Sequence, residues 1–156
     1  MTVHEQKARE LFLGGYNCAQ AVFAAFSDLT GLDERTAIAV SSSFGGGMGR
    51  MRETCGAVSG MLMALGALRG GDCNAYANGG ADKSAHYARV RSLVGKFKDE
   101  NGAYVCRELL GLPADASGGE PERRSPEYYR RRPCVELVGC AARILDEYLA
   151  ETEVER

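Results

Sequence analysis

The chain has 156 residues, 45% of them apolar, which is enough for one ordinary domain to bury a core. Nineteen Lys and Arg stand against twenty-one Asp and Glu, a formal net charge of −2, so a basic footprint for nucleic acid or an anionic membrane is excluded as the main function. Residues 1–10 are polar with no signal-peptide core, and the apolar run 61–68 is too short to cross a bilayer. The expectation is a soluble, cytoplasmic protein with neither nucleic-acid nor membrane partners.

Residues 3–12 suit a first helix, stopped by Gly14 and Gly15. Asn17 caps a second, with the stripe Cys18, Val22, Ala25, Phe26 and Leu29, which ends at Gly31. Asp33 caps a third over 34–43, carrying Ile38 and Val40. Four glycines within 44–49 make that segment a loop, because they would ruin a helix. Thr54 is placed to cap a fourth helix, with Cys55, Val58, Leu62 and Leu65 along one side. A second glycine-rich loop covers 70–82, followed by a helix at 82–100 with Tyr87, Val90, Val94 and Phe97 on one face.

A shorter helix at 104–111 includes Cys106, Leu109 and Leu110 and ends at Gly111. Residues 113–133 read as loop with a short helical turn near 126–131. Pro133 opens the last helix, 134–150, and residues 151–156 fray. No stretch alternates with period two. The expected architecture is all-α: an irregular single-domain bundle of five to six helices spanning 1–156.

Six cysteines stand at 18, 55, 73, 106, 134 and 140, with neither a C-x-x-C pair nor a C-x-x-C-H haem site. Without an export signal this number points to thiol chemistry or metal binding rather than a disulfide framework. At 100° per residue, Cys18, Cys55, Cys106 and Cys134 point inward from their helices. Cys140 shares the opposite side of the last helix with Glu136, Arg143 and Glu147, about a third of a turn from Cys134. It and the loop residue Cys73 are expected to be exposed and readily alkylated, and Cys106 to react slowly.

Cys18, Cys55 and Cys134 each fall in a first helical turn, where free amides and the helix dipole lower a thiol's pKa. Cys55 is expected to be the most acidic thiol, with Gly56 leaving it uncovered and Arg50 and Arg52 adding positive charge. Burial opposes this. The bland alternative for all four is packing as small hydrophobes.

Other features have ordinary readings. Gly56 and Gly60, four apart, suit close approach of another helix. The 44–49 loop lacks the Gly-Lys-Ser/Thr ending of a phosphate loop. His86 reads as a core-edge histidine more than a base or ligand, and His4 as an N-terminal residue without a role. Arg123, Arg124, Arg130, Arg131 and Arg132 alternate with Glu120, Glu122 and Glu127 in a solvated loop that could also acidify Cys134 or dock an acidic redox partner.

Tyr16-Asn-Cys-Ala-Gln-Ala-Val22, Phe44-Gly-Gly-Gly-Met-Gly49, Cys55-Gly-Ala-Val-Ser-Gly60, Cys106-Arg-Glu-Leu-Leu-Gly111 and Cys134-Val-Glu-Leu-Val138 followed by Ala141-Ala142 resemble, in order and spacing, the C-GCAxxG-C-C family, whose redox activity is inferred from its cysteines. The resemblance covers about residues 5–149. It implies four family cysteines, which fall on Cys18, Cys55, Cys106 and Cys134, and leaves Cys73 and Cys140 outside. A related segment occurs in certain multihaem cytochromes. The haem-attachment motifs are missing here, so that activity does not carry over.

The leading expectation is thiol–disulfide redox chemistry without a cofactor, with Cys55 as attacking thiolate, Cys18 resolving it, and Cys106 and Cys134 as a second pair. Two other connectivities stay open. The partner would be a redox protein or a small thiol, and the chain an oxidoreductase or a sensor, with homo-oligomerisation open. The runner-up is a four-thiolate zinc or iron–sulfur site, against which stands the lack of a short chelating pair. A structural or interaction module is the third reading.

Overall fold

The computed structural model describes residues 1–70 and 81–154. Cys73 and most of the expected 70–82 loop lie outside the described residues. Helix α1 (Val3–Leu13) starts at Thr2, whose hydroxyl accepts from Glu5 N. Helix α2 (Cys18–Ala25) starts in a capping box, in which Gln20 N donates to Asn17 Oδ1 at 2.9 Å and Asn17 N donates to Gln20 Oε1 at 3.0 Å. A bend at Phe26 separates α3 (Ser27–Thr30), which ends at the left-handed Gly31. Asp33 caps α4 (Glu34–Ser41), and a 3₁₀ turn (Ser42–Phe44) follows.

The glycine-rich stretch contains a short turn, α5 (Gly45–Met48), and then α6 (Gly56–Arg69) and α7 (Ala81–Asn101) follow. One-turn α8 (Cys106–Leu109), α9 (Pro126–Arg131) and α10 (Cys134–Val154) complete the all-α bundle. The short helix expected near 126–131 is α9, with Ser125 as its cap. None of the described helices is long and apolar enough to cross a membrane.

Helix α2 is the axis of the bundle. It packs against α1, α4, α6 and α10, so Ala19 and every residue from 21 to 26 are buried. A one-sided stripe was the expectation; this helix is instead covered all round, while Leu29, beyond the bend, is 48% exposed. Small residues make that enclosure feasible. A Cβ at Gly60 would stand 2.6 Å from Ala19 O, and one at Gly56 would stand 3.0 Å from both Cys18 Cβ and Phe44 O. The two glycines therefore serve close approach of α6 to α2.

Three expectations are corrected by neighbours that helical phase does not reveal. Cys140 is buried, because α7 lies along α10 and covers that side. Its Sγ donates to Glu100 Oε2 at 3.3 Å and accepts from Asn101 Nδ2 at 3.4 Å. The buried face of α7 is His86, Leu93 and Phe97, with Tyr87 turned outward. His4 is no loose end. Its ring stacks on Phe26 with centroids 4.3 Å apart, with Nδ1 2.6 Å from Asp146 Oδ1 and Nε2 3.0 Å from Asp28 Oδ1.

Replacing Gly60 by Ala should drive a methyl into the Ala19 carbonyl and cost about 1–3 kcal/mol. Gly66→Ala, in the same helix with nothing near its Cβ, should be neutral or stabilising by up to about 1 kcal/mol. Thermal melts of the two variants check the contrast, and equal Tm values would remove this account of α2–α6 contact.

Candidate functional site

Each of the four inward cysteines stands at the start of a helix. Cys18 opens α2, Cys106 opens α8 and Cys134 opens α10, while Cys55 is the N-cap of α6. The cap expected at Thr54 is not formed. Thr54 instead makes an isolated antiparallel bridge with Val105, beside which Cys55 N donates to Tyr104 O at 2.9 Å and Cys106 N to Glu53 O at 2.6 Å. That pairing is non-local, and it sets Cys55 and Cys106 side by side.

The glycine-rich stretch shapes the site wall. Gly46 to Arg50 all have positive φ, as does Arg52 at 60°. At Gly47 no side chain fits, since a Cβ would lie 2.8 Å from Cys106 Cβ. Met48, Arg50 and Arg52 hold the same conformation at a cost of about 1–3 kcal/mol each. Backbone bonds from Arg52 N to Gly46 O (3.2 Å) and from Glu53 N to Gly47 O (3.0 Å) keep the turn closed. Arg107 braces it, with Nη2 donating to Met51 O at 3.0 Å and to Glu53 Oε1 at 2.7 Å. The result is an inward Arg52, 6% exposed, with Nη1 3.6 Å from Cys106 Sγ.

All four cysteines line one pocket of about 320 Å³. The 113–133 segment forms its outer wall, tied to the glycine turn where Gly118 N donates to Arg50 O at 2.8 Å and Arg50 Nε donates to Gly118 O at 3.1 Å. Arg124 donates to the carbonyls of Phe12 and Tyr16, both at 3.0 Å, with its guanidinium over the Phe12 ring at 4.2 Å. Arg132 is ion-paired with Glu122 and lies 5.4 Å from the Tyr128 ring centroid. The supposedly solvated arginine loop thus supplies two arginines to the pocket, with Glu122 and Tyr128 beside them. His86 does not reach it.

Burial and charge divide the thiols. Interaction with the Cys18 thiol, aided by Arg132, Arg124 and Arg52, holds the Cys134 thiol below its ordinary pKa despite burial. The same interaction, with burial, pushes the Cys18 thiol up. Burial pushes Cys55 up to about 12, even though the Ala57 and Val58 amides act the other way. The expectation that Cys55 is the most acidic thiol is therefore corrected: desolvation outweighs the helix start, and the acidic thiol is Cys134.

All five described cysteines are free thiols. Among the described residues, no group of three or more His, Cys, Asp or Glu side chains is placed to hold a metal ion. Arg52 is the residue whose importance was least apparent beforehand, read only as a charge near Cys55; its signal was its place at the end of a glycine run that must turn sharply.

A family model described as "Putative redox-active protein (C_GCAxxG_C_C)" matches residues 16–148. No curated protein and no solved structure matches the chain.

Alkylation across pH should find Cys134 reacting as a thiolate below the ordinary thiol pKa of about 8.5, because a lowered pKa extends the thiolate toward lower pH. Cys55 should stay unreactive through pH 9, its thiolate being disfavoured by burial. Arg132→Gln should move the Cys134 midpoint upward. Mass spectrometry of the labelled peptides reads all three, and a Cys55 that labels before Cys134 would reverse the assignment.

Proposed function

The chain belongs to the C_GCAxxG_C_C family, and from that premise we propose that it is a thiol–disulfide redox protein whose working pair is Cys134 and Cys18. The observation that supports this most is that both open helices onto one arginine-walled pocket. A shared pocket gives a resolving step its second sulfur, and the arginines favour the thiolate that starts it.

The exchange balances with a disulfide as oxidant. The Cys134 thiolate attacks one sulfur of the incoming disulfide, forms a mixed disulfide and expels the other half as a thiolate. Cys18 then gives up its proton and attacks the Cys134 sulfur, which expels the second half. Two electrons pass to the substrate, which leaves as one thiolate and one thiol carrying the Cys18 proton, and the protein holds a Cys18–Cys134 disulfide. The reverse sequence with a dithiol donor restores the reduced state.

Cys55 and Cys106 take no first step in this reading. Cys55 is too strongly disfavoured as a thiolate, and the Cys106 sulfur is engaged by Arg52 Nη1 at 3.6 Å. The same chemistry serves an oxidoreductase or a redox sensor. A zinc or iron–sulfur centre is the weaker reading, since no three donor side chains among the described residues are placed to hold an ion.

Oxidation of the reduced protein by a limiting small disulfide, followed by peptide mapping, should give Cys18–Cys134 as the first bond. Cys134→Ser should abolish that bond and slow loss of the disulfide reagent at least tenfold. A dominant Cys55–Cys106 or Cys73–Cys140 bond would overturn the pairing.

A further inference from the structure

The pocket carries more positive charge than its own residues neutralise. Arg50, Arg52, Arg124 and Arg132 line it against one carboxylate, Glu122, a surplus of three positive charges while the thiols are neutral. Arg132 is paired with Glu122. Arg124 donates to main-chain carbonyls and to the Tyr129 hydroxyl, and Arg50 Nε to the Gly118 carbonyl. Arg52, 6% exposed, has the Cys106 sulfur at 3.6 Å as its hydrogen-bond partner among the described residues.

A guanidinium carries five N–H donors and is rarely buried without a carboxylate or phosphate partner. Arg50 is held below the ordinary arginine range by burial and by the charges of Arg52 and Arg132, the mark of crowded cations. A Cys134 thiolate offsets one charge and leaves two. The remaining excess calls for an anion from outside, and about 320 Å³ is the size of a small-molecule site.

We propose that the pocket selects a low-molecular-weight disulfide that carries carboxylates, with Arg52 and Arg50 taking the carboxylates while Cys134 attacks the disulfide. This rests on the Cys134–Cys18 exchange proposed above and names its substrate class. Arginine suits the task because its planar fork binds a carboxylate through two parallel hydrogen bonds. The 113–133 segment, bonded to Arg50 at Gly118, walls the pocket, and its volume of about 320 Å³ suits a small substrate.

The test uses three small disulfides that differ in charge: dithiodiglycolate (anionic), bis(2-hydroxyethyl) disulfide (neutral) and cystamine (cationic). The rate of Cys18–Cys134 bond formation is measured for each at low salt. Each rate is then divided by the rate of the same disulfide with free mercaptoethanol. The anionic reagent should lead the neutral one by about tenfold or more, with cystamine slowest, and the lead should shrink as salt rises. Arg52→Gln should reduce the lead to less than about threefold, as expected when a local charge is removed.

Equal normalised rates, with the bond formed each time, would overturn anion selection and leave the exchange reading intact. Failure of all three to form the bond would overturn the exchange reading instead. Calorimetric titration into Cys134→Ser, which cannot react at that sulfur, tests the anion site separately. Dithiodiglycolate binding that cystamine does not match supports the site, and no binding overturns it. Neither the charge series nor this titration depends on an arginine variant that folds.

Discussion

The contact between α2 and α6, made backbone against backbone at Gly60 and Gly56, is the constraint on which the site depends. Glycine on α6 lets it come closer to α2 than ordinary side chains allow, and α2 is buried from Ala21 to Ala25. Gly56 then sits on Cys18 Cβ, and it directly follows Cys55. Close approach therefore has a chemical result: the start of α6 is brought onto the start of α2, with a sulfur at each. The Thr54–Val105 bridge adds Cys106, and the descent of α10 beside α2 adds Cys134.

Four thiols in one pocket are not four equivalent groups. Cys55 shows that a helix start does not by itself produce an acidic thiol. Two amides favour its thiolate, yet loss of water outweighs them. Cys134 is also buried, but the Cys18 thiol and three guanidinium charges act on it. The difference comes from side chains on neighbouring segments, near in sequence for Arg132 and distant for Arg52. Arg52 enters through a strained turn, and Arg124 and Arg132 come from the segment that walls the pocket.

That distinction also explains what was legible in the sequence. Asn17 and Asp33 mark helix starts by local chemistry, and both cap as read. In the last helix Cys134, Val138, Ala141, Ala142, Leu145 and Leu149 lie at helical spacing and are all buried, because one long helix keeps its phase. Helical phase set the four pocket cysteines apart as well, although Cys106 stands in a helix of one turn and Cys55 only caps one. Cys140 was not, since phase describes one helix and says nothing of a second lying on its other side. Thr54 is a good cap by type, but pairing with Val105 claims its backbone. Acidification of Cys134 by the arginine-rich loop was open to the sequence, but the ranking was not, because the burial of Cys55 and the inward turn of Arg52 are set by the fold.

The positions of Cys18 and Cys134 have a further consequence for the chain as a polymer. They stand near opposite ends of the sequence, so a bond between them encloses most of the chain in one covalent ring. Cross-links that span roughly a hundred residues restrict the unfolded ensemble by about 4.7 kcal/mol in the chain-entropy account. For a bundle whose net stability is on the order of 5–15 kcal/mol, forming the proposed bond would make the redox state of one pocket a control on how readily the whole molecule opens, and with it on its lifetime among proteases.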